Sequence, residues 1–91
     1  SMDVICTANS EGFLEVSAAA LSVWGYTPEE MRGQPLERFI HPDDLESTLQ
    51  EVNGLLSGKT VQNFENRYLH KSGRVVHMLW SANYDSAEGI M

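Results

Sequence analysis

The sequence predicts an α+β domain in which an antiparallel sheet is covered on one face by several short helices and one longer helix. Three observations carry this expectation. The stretch from Trp24 to Asp44 holds three helix starts and two helix stops, and helices that short need a larger element to lie against. Two later stretches, Val61 to Leu69 and Arg74 to Tyr84, alternate in polarity around the polar turn Lys71-Ser72-Gly73, which is the pattern of a hairpin. Ninety-one residues suffice for one core but not for two.

Taken in order, Asp3 to Ala8 alternates as a first strand, with Val4, Cys6 and Ala8 on one side. Asn9-Ser10-Glu11-Gly12 supplies turn chemistry, and Phe13 to Val16 returns as a second strand. Ser17 is placed to N-cap a helix over Ala18 to Trp24, where three alanines favour helix and Gly25 stops it. Thr27-Pro28-Glu29-Glu30 reads as a capping box with proline at the first helical position, and Gly33 supplies a left-handed stop. Gln34-Pro35 then forces extended backbone before one more short turn over Leu36 to Ile40.

Pro42, Asp43 and Asp44 open the longest helix, to about Ser57, with the two carboxylates at the positive end of its dipole. Leu45, Leu49, Val52 and Leu56 recur at helical spacing, so they are expected to form its buried stripe, and Gly58 ends it. On the two long strands, parity sets Phe64, Asn66 and Tyr68 with Val76, Met78, Trp80, Ala82 and Tyr84 toward the helices. Asp85 to Gly89 reads as a turn, and Ile90-Met91 as the beginning of one more strand.

Composition narrows function. A formal charge of −7 with no Lys/Arg cluster argues against a nucleic-acid surface. No run approaches the roughly 18 apolar residues of a membrane helix, and no signal segment precedes the first strand, so direct membrane contact is not expected. The single cysteine, Cys6, excludes an internal disulfide and fits a reducing, cytoplasmic compartment. Ser1-Met2 reads as a cloning remnant. Phosphate loops, nucleophile elbows and metal-binding histidine motifs are missing, so no catalytic residues and no metal ligands are assigned. His41 beside Asp43 and Asp44 fits a helix N-terminus better than a metal site.

A candidate ligand site remains. Trp24, Phe39, Tyr68, Met78 and Trp80 are positioned to form an aromatic box, with Asn66 as its polar anchor and Cys6 on the neighbouring apolar strand face. The competing reading is that these bulky side chains fill the space themselves.

The run GYTPEEMRGQPLERFIHPDD, followed by a helix, a hairpin turning at Lys71-Ser72-Gly73 and a strand bearing Trp80, resembles the PAS domain family over nearly the whole chain. The resemblance implies a single domain over residues 3–91 with strand order 2-1-5-4-3, the fifth strand largely missing because the family's exit sequence does not follow Ile90-Met91. Three completions are then expected, namely residues beyond Met91, direct pairing of the first and fourth strands in a rearranged sheet, or a segment of a second chain that makes a dimer, with the last two favoured if the chain is only these 91 residues.

The resemblance also implies a bacterial sensory module that regulates an attached output domain of histidine kinase or diguanylate cyclase type. It would act by small-ligand binding, by homodimerisation, or by both. The cofactor is left open. Haem relatives commonly place an axial histidine on the long helix, where Leu45 to Ser57 has none, and flavin photosensors carry a cysteine on the short helix that reads Gln34 to Ile40 here, so neither haem nor cysteinyl-flavin photochemistry is expected.

Overall fold

Two hairpins and the helices between them make up the chain in a computed structural model that describes residues 3–91; Ser1 and Met2, set aside above as a cloning remnant, lie outside the described residues. The elements are β1 (Cys6–Asn9), β2 (Gly12–Val16), α1 (Ala19–Trp24), α2 (Pro28–Met31), α3 (Leu45–Leu56), β3 (Val61–Leu69) and β4 (Val75–Ala82), with 3-10 turns at Leu36–Arg38 and Pro42–Asp44.

The local signals act as their chemistry demands. Thr27 Oγ1 accepts from the Glu30 amide at 3.2 Å while Glu30 Oε1 accepts from the Thr27 amide at 2.9 Å, closing the capping box. Gly25 ends α1 in the left-handed region, its N–H reaching back to the carbonyls of Ala20 and Leu21. Ser17 does not cap α1, whose capping residue is Ala18. Its hydroxyl accepts instead from the Ile5 amide at 3.0 Å, because the hairpin brings that donor closer than the first turn of the helix.

The inward face of α3 differs from the expected stripe. Thr48 and Leu55 are buried and Leu45 and Val52 half-buried, whereas Leu49 and Leu56 are 39% and 51% exposed. The buried line thus runs 45-48-52-55, and a threonine occupies a position that apolar periodicity alone gives to leucine. Burial is tolerable because the Thr48 hydroxyl donates to the Asp44 carbonyl at 2.7 Å and accepts from Asn66 Nδ2 at 3.1 Å.

Asp44 does more than sit at a helix start. Its side chain makes no cap bond; it accepts from the Arg67 amide at 2.7 Å, from Arg67 Nε at 2.9 Å and from Nη2 at 2.7 Å, locking the start of α3 to β3. These Arg67 bonds hold the carboxyl at about 2 against an ordinary 3.8. The folded state therefore binds this proton less tightly than the unfolded chain, so the stabilisation is complete above the ordinary carboxylate value and is lost as pH falls toward 2. Melting of wild type and Asp44→Asn across pH should show a constant gap above about pH 5 that closes in acid. A gap indifferent to acid would assign the stabilisation elsewhere.

On β3 and β4 the alternation holds along paired residues such as Asn66 with Met78 and Tyr68 with Val76. A bulge between Val61 and Phe64, with Asn63 at φ 57°, inserts one residue and swings odd-numbered Val61 onto the buried face. The hairpins form two separate two-stranded sheets, so the expected direct pairing of first and fourth strands does not occur. Met91 instead exchanges both backbone bonds with Ala8, at 2.8 and 3.1 Å, on the free side of β1. The core lies where β1, β2, α1, α2 and β3 converge on Phe13, Trp24, Met31, Phe39 and Tyr68.

Candidate functional site

The seven residues singled out in the sequence divide into two groups. Trp24 and Phe39 belong to a closed interior, and half-buried Met78 packs against it. Trp24 is fully buried at the end of α1, stacks on Tyr68 with centroids 4.6 Å apart and planes 14° apart, and donates from Nε1 to Met78 Sδ at 3.3 Å. Phe39 packs against Phe13 at 5.8 Å and edge-on against Tyr26 at 5.0 Å. The aromatic box is therefore filled by its own walls at this end.

Cys6, Asn66, Tyr68 and Trp80 line an open cleft of about 670 Å3 on the other side of that stack. It is bounded by β1, the buried face of α3, the start of β3 and the end of β4, and Met91 stands at its edge. Small-molecule sites commonly fall in this size range. Trp80 bridges the two regions, its ring 5.6 Å from Tyr68 and 6.0 Å from Trp24.

Asn66 is the pivot of the cleft floor. Its Oδ1 accepts from Trp80 Nε1 at 2.8 Å and its Nδ2 donates to Thr48 Oγ1, so protein partners rather than a ligand satisfy one bond on each end of the amide. The amide keeps one further N–H and one lone pair. Thr48 was missed in the sequence. The usable signal was that a threonine hydroxyl within a helix can donate to the carbonyl four residues earlier, here Asp44, which satisfies it when the side chain is buried.

Removing the pivot is expected to strand two partners. Asn66→Leu leaves the Trp80 N–H and the Thr48 hydroxyl without this acceptor and donor, and should destabilise by about 1–3 kcal/mol in urea titration. A neutral result would mean that both groups find other partners at no cost.

Burial pushes the Cys6 thiol up to about 11, so it is protonated at neutral pH and behaves as a small apolar wall. The Tyr68 phenol is also raised, first by burial and then by neighbouring Cys6. Among the described residues no charged side chain other than Glu51 lines the cleft. His41, weighed above as a metal ligand, accepts the Asp43 amide on Nδ1 at 3.1 Å, a capping contact. Among the described residues no three His, Cys, Asp or Glu side chains cluster as metal ligands, and no described helix is long and apolar enough to cross a membrane.

Comparison with known proteins gives a consistent picture. A family model described as the PAS fold matches residues 13–89. The probable diguanylate cyclase DgcE of Escherichia coli (strain K12) is 35% identical over 68 residues, which is 74% of this chain but 6% of that protein's length. A domain of a sensory box sensor histidine kinase/response regulator from Geobacter sulfurreducens superposes with a TM-score of 0.81 at 21% identity, covering 99% of this chain and 78% of that one. The PAS-B domain of Drosophila melanogaster Cycle, in a structure with bound ethylene glycol, gives 0.78 at 20% identity over 96% of this chain and 88% of that one.

Proposed function

The chain belongs to the PAS fold family, and on that premise we propose that it is a sensory signalling module of residues 3–91 that binds a small molecule without transforming it and reports to an output domain in the same polypeptide. The observation that carries this reading is the open cleft beside α3, with Asn66, Tyr68 and Trp80 on its floor. An occupant there would touch α3, β1 and both strands of the second hairpin at once, so its binding free energy can bias how the hairpins sit together. The similarity to a probable diguanylate cyclase supports an output of that type; a histidine kinase output is the alternative that the family allows. A cytoplasmic setting accords with the lone, protonated Cys6.

A second reading, a ligand-free module that works by dimerising, is favoured by a different observation. The Trp24–Tyr68 stack fills the aromatic box, and the outer face of the second hairpin carries Leu79 at 62% and Val75 at 41% exposure. Native mass spectrometry with an absorbance spectrum and light scattering separates the two. A non-covalent added mass lost on denaturation supports ligand sensing. A bare dimer whose melting temperature no metabolite extract raises supports the second reading.

A further inference from the structure

The chemistry of the cleft defines what it selects. Among the described residues its lining contains no Lys, Arg or His, and its one carboxylate, Glu51, is half-buried on α3. A carboxylate or phosphate brought into it would lose hydration with no cation in return, inside a chain of formal charge −7. Val52, Leu55, Phe64 and Trp80 supply apolar and aromatic wall, and Thr7, Thr60, Gln62, Asn63, Ser81 and Asn83 supply uncharged polar groups.

Among the polar lining side chains that make no side-chain hydrogen bond to the described residues, Tyr68 is the buried one. The Tyr68 side chain is almost entirely buried, and among the described residues the side-chain hydrogen bonds of this region, Asn66 to Thr48, Trp80 to Asn66 and Trp24 to Met78, do not involve its hydroxyl. Tyr68 lines the cleft, so a molecule seated there meets its side chain. Burial disfavours its phenolate, so the group stays an O–H donor. The spare N–H of Asn66 is a second donor two residues away on the same strand face. Two donors in a cleft lined by no described cation match an acceptor oxygen that carries no formal charge.

Resting on the reading of the cleft as a ligand site, we infer that it takes an uncharged, largely apolar molecule whose carbonyl or hydroxyl oxygen accepts from the Tyr68 phenol, and that it rejects carboxylates and phosphates. The Trp80 ring supplies the wall against which a flat molecule lies.

Three isosteric probes test this: 2-acetylnaphthalene, 2-naphthoate and 2-naphthylmethylammonium, titrated into 15N-labelled protein while the Trp80 indole, the Asn66 side-chain amide and backbone signals of β1 and α3 are followed. The ketone should bind saturably and move those signals, with the carboxylate at least about tenfold weaker because its charge is desolvated unpaired. Tyr68→Phe, which keeps the ring that stacks on Trp24, should weaken the ketone by about two- to tenfold. If the carboxylate or the ammonium binds as tightly as the ketone, the inferred class is wrong while the site stands. If Tyr68→Phe retains full ketone affinity, the phenol is not the donor and the assignment falls. If none of the three moves a cleft signal, the site itself is refuted, and the class with it.

Discussion

Trp24→Ala is expected to cost roughly 3–5 kcal/mol, the range for emptying a large aromatic from a closed core. Few single residues here touch so much. Trp24 is fully buried, lies 4.6 Å from the Tyr68 ring, 6.0 Å from Trp80 and 6.4 Å from Phe13, and its carbonyl accepts from the Lys71 amide at 2.8 Å. Domains of this size hold about 5–15 kcal/mol in total, so the variant should be marginal at room temperature. Urea unfolding followed by near-ultraviolet dichroism measures the loss. Leu49→Ala, on the exposed side of α3, is the matched control and should cost below about 1 kcal/mol. Equal losses at the two positions would mean that the core is not centred on the stack.

Gly12→Ala is the second large effect, and its cause is backbone rather than packing. Gly12 has φ +135°, and a Cβ there would stand 2.1 Å from the Gln34 carbonyl oxygen and 2.6 Å from its carbon. That carbonyl accepts from the Phe13 amide at 3.0 Å while Gly33 donates to the Phe13 carbonyl at 2.8 Å, so the contact is the seam that docks β2 onto the segment after α2. Relieving the clash breaks the seam. Strained dihedrals cost about 1–3 kcal/mol and each lost bond about 0.5–1.5, which together give roughly 2–5 kcal/mol. Gly33→Ala separates the two causes, since Gly33 has φ +80° but open space around it. It should cost about 1 kcal/mol, from the dihedral alone. A Gly12 variant no worse than the Gly33 variant would show that the seam yields freely.

How far the site could be read from the sequence depended on what kind of signal each residue gives. Parity placed Asn66, Tyr68 and Trp80 on the inner face of the second hairpin, and the same three reach the cleft. Parity does not say which inward residues meet each other. Trp24 and Met78, 54 positions apart, close the box that they were expected to line, and Asn66 finds Thr48 rather than an empty pocket. The cleft itself lies between two hairpins that share no strand pairing, a relation no local pattern encodes.

What the sequence determined by itself is everything whose energy is settled within about four residues. The capping box at Thr27, the left-handed stops at Gly25 and Gly33, the Lys71-Ser72-Gly73 turn and the alternation of β4 all follow from adjacent dihedrals and hydrogen bonds. Tertiary structure decided the rest. Thr48 displaced Leu49 from the buried line of α3 because Asn66, 18 residues away, offered its hydroxyl a partner. Asp44 left the helix terminus for Arg67, 23 residues on, because a bidentate guanidinium with a backbone amide behind it binds a carboxylate more strongly than the ends of a short helix do. Ser17 turned to Ile5 for the same reason, since a polar group takes the partner that the folded chain brings within reach and local pattern ranks only the partners nearby in sequence.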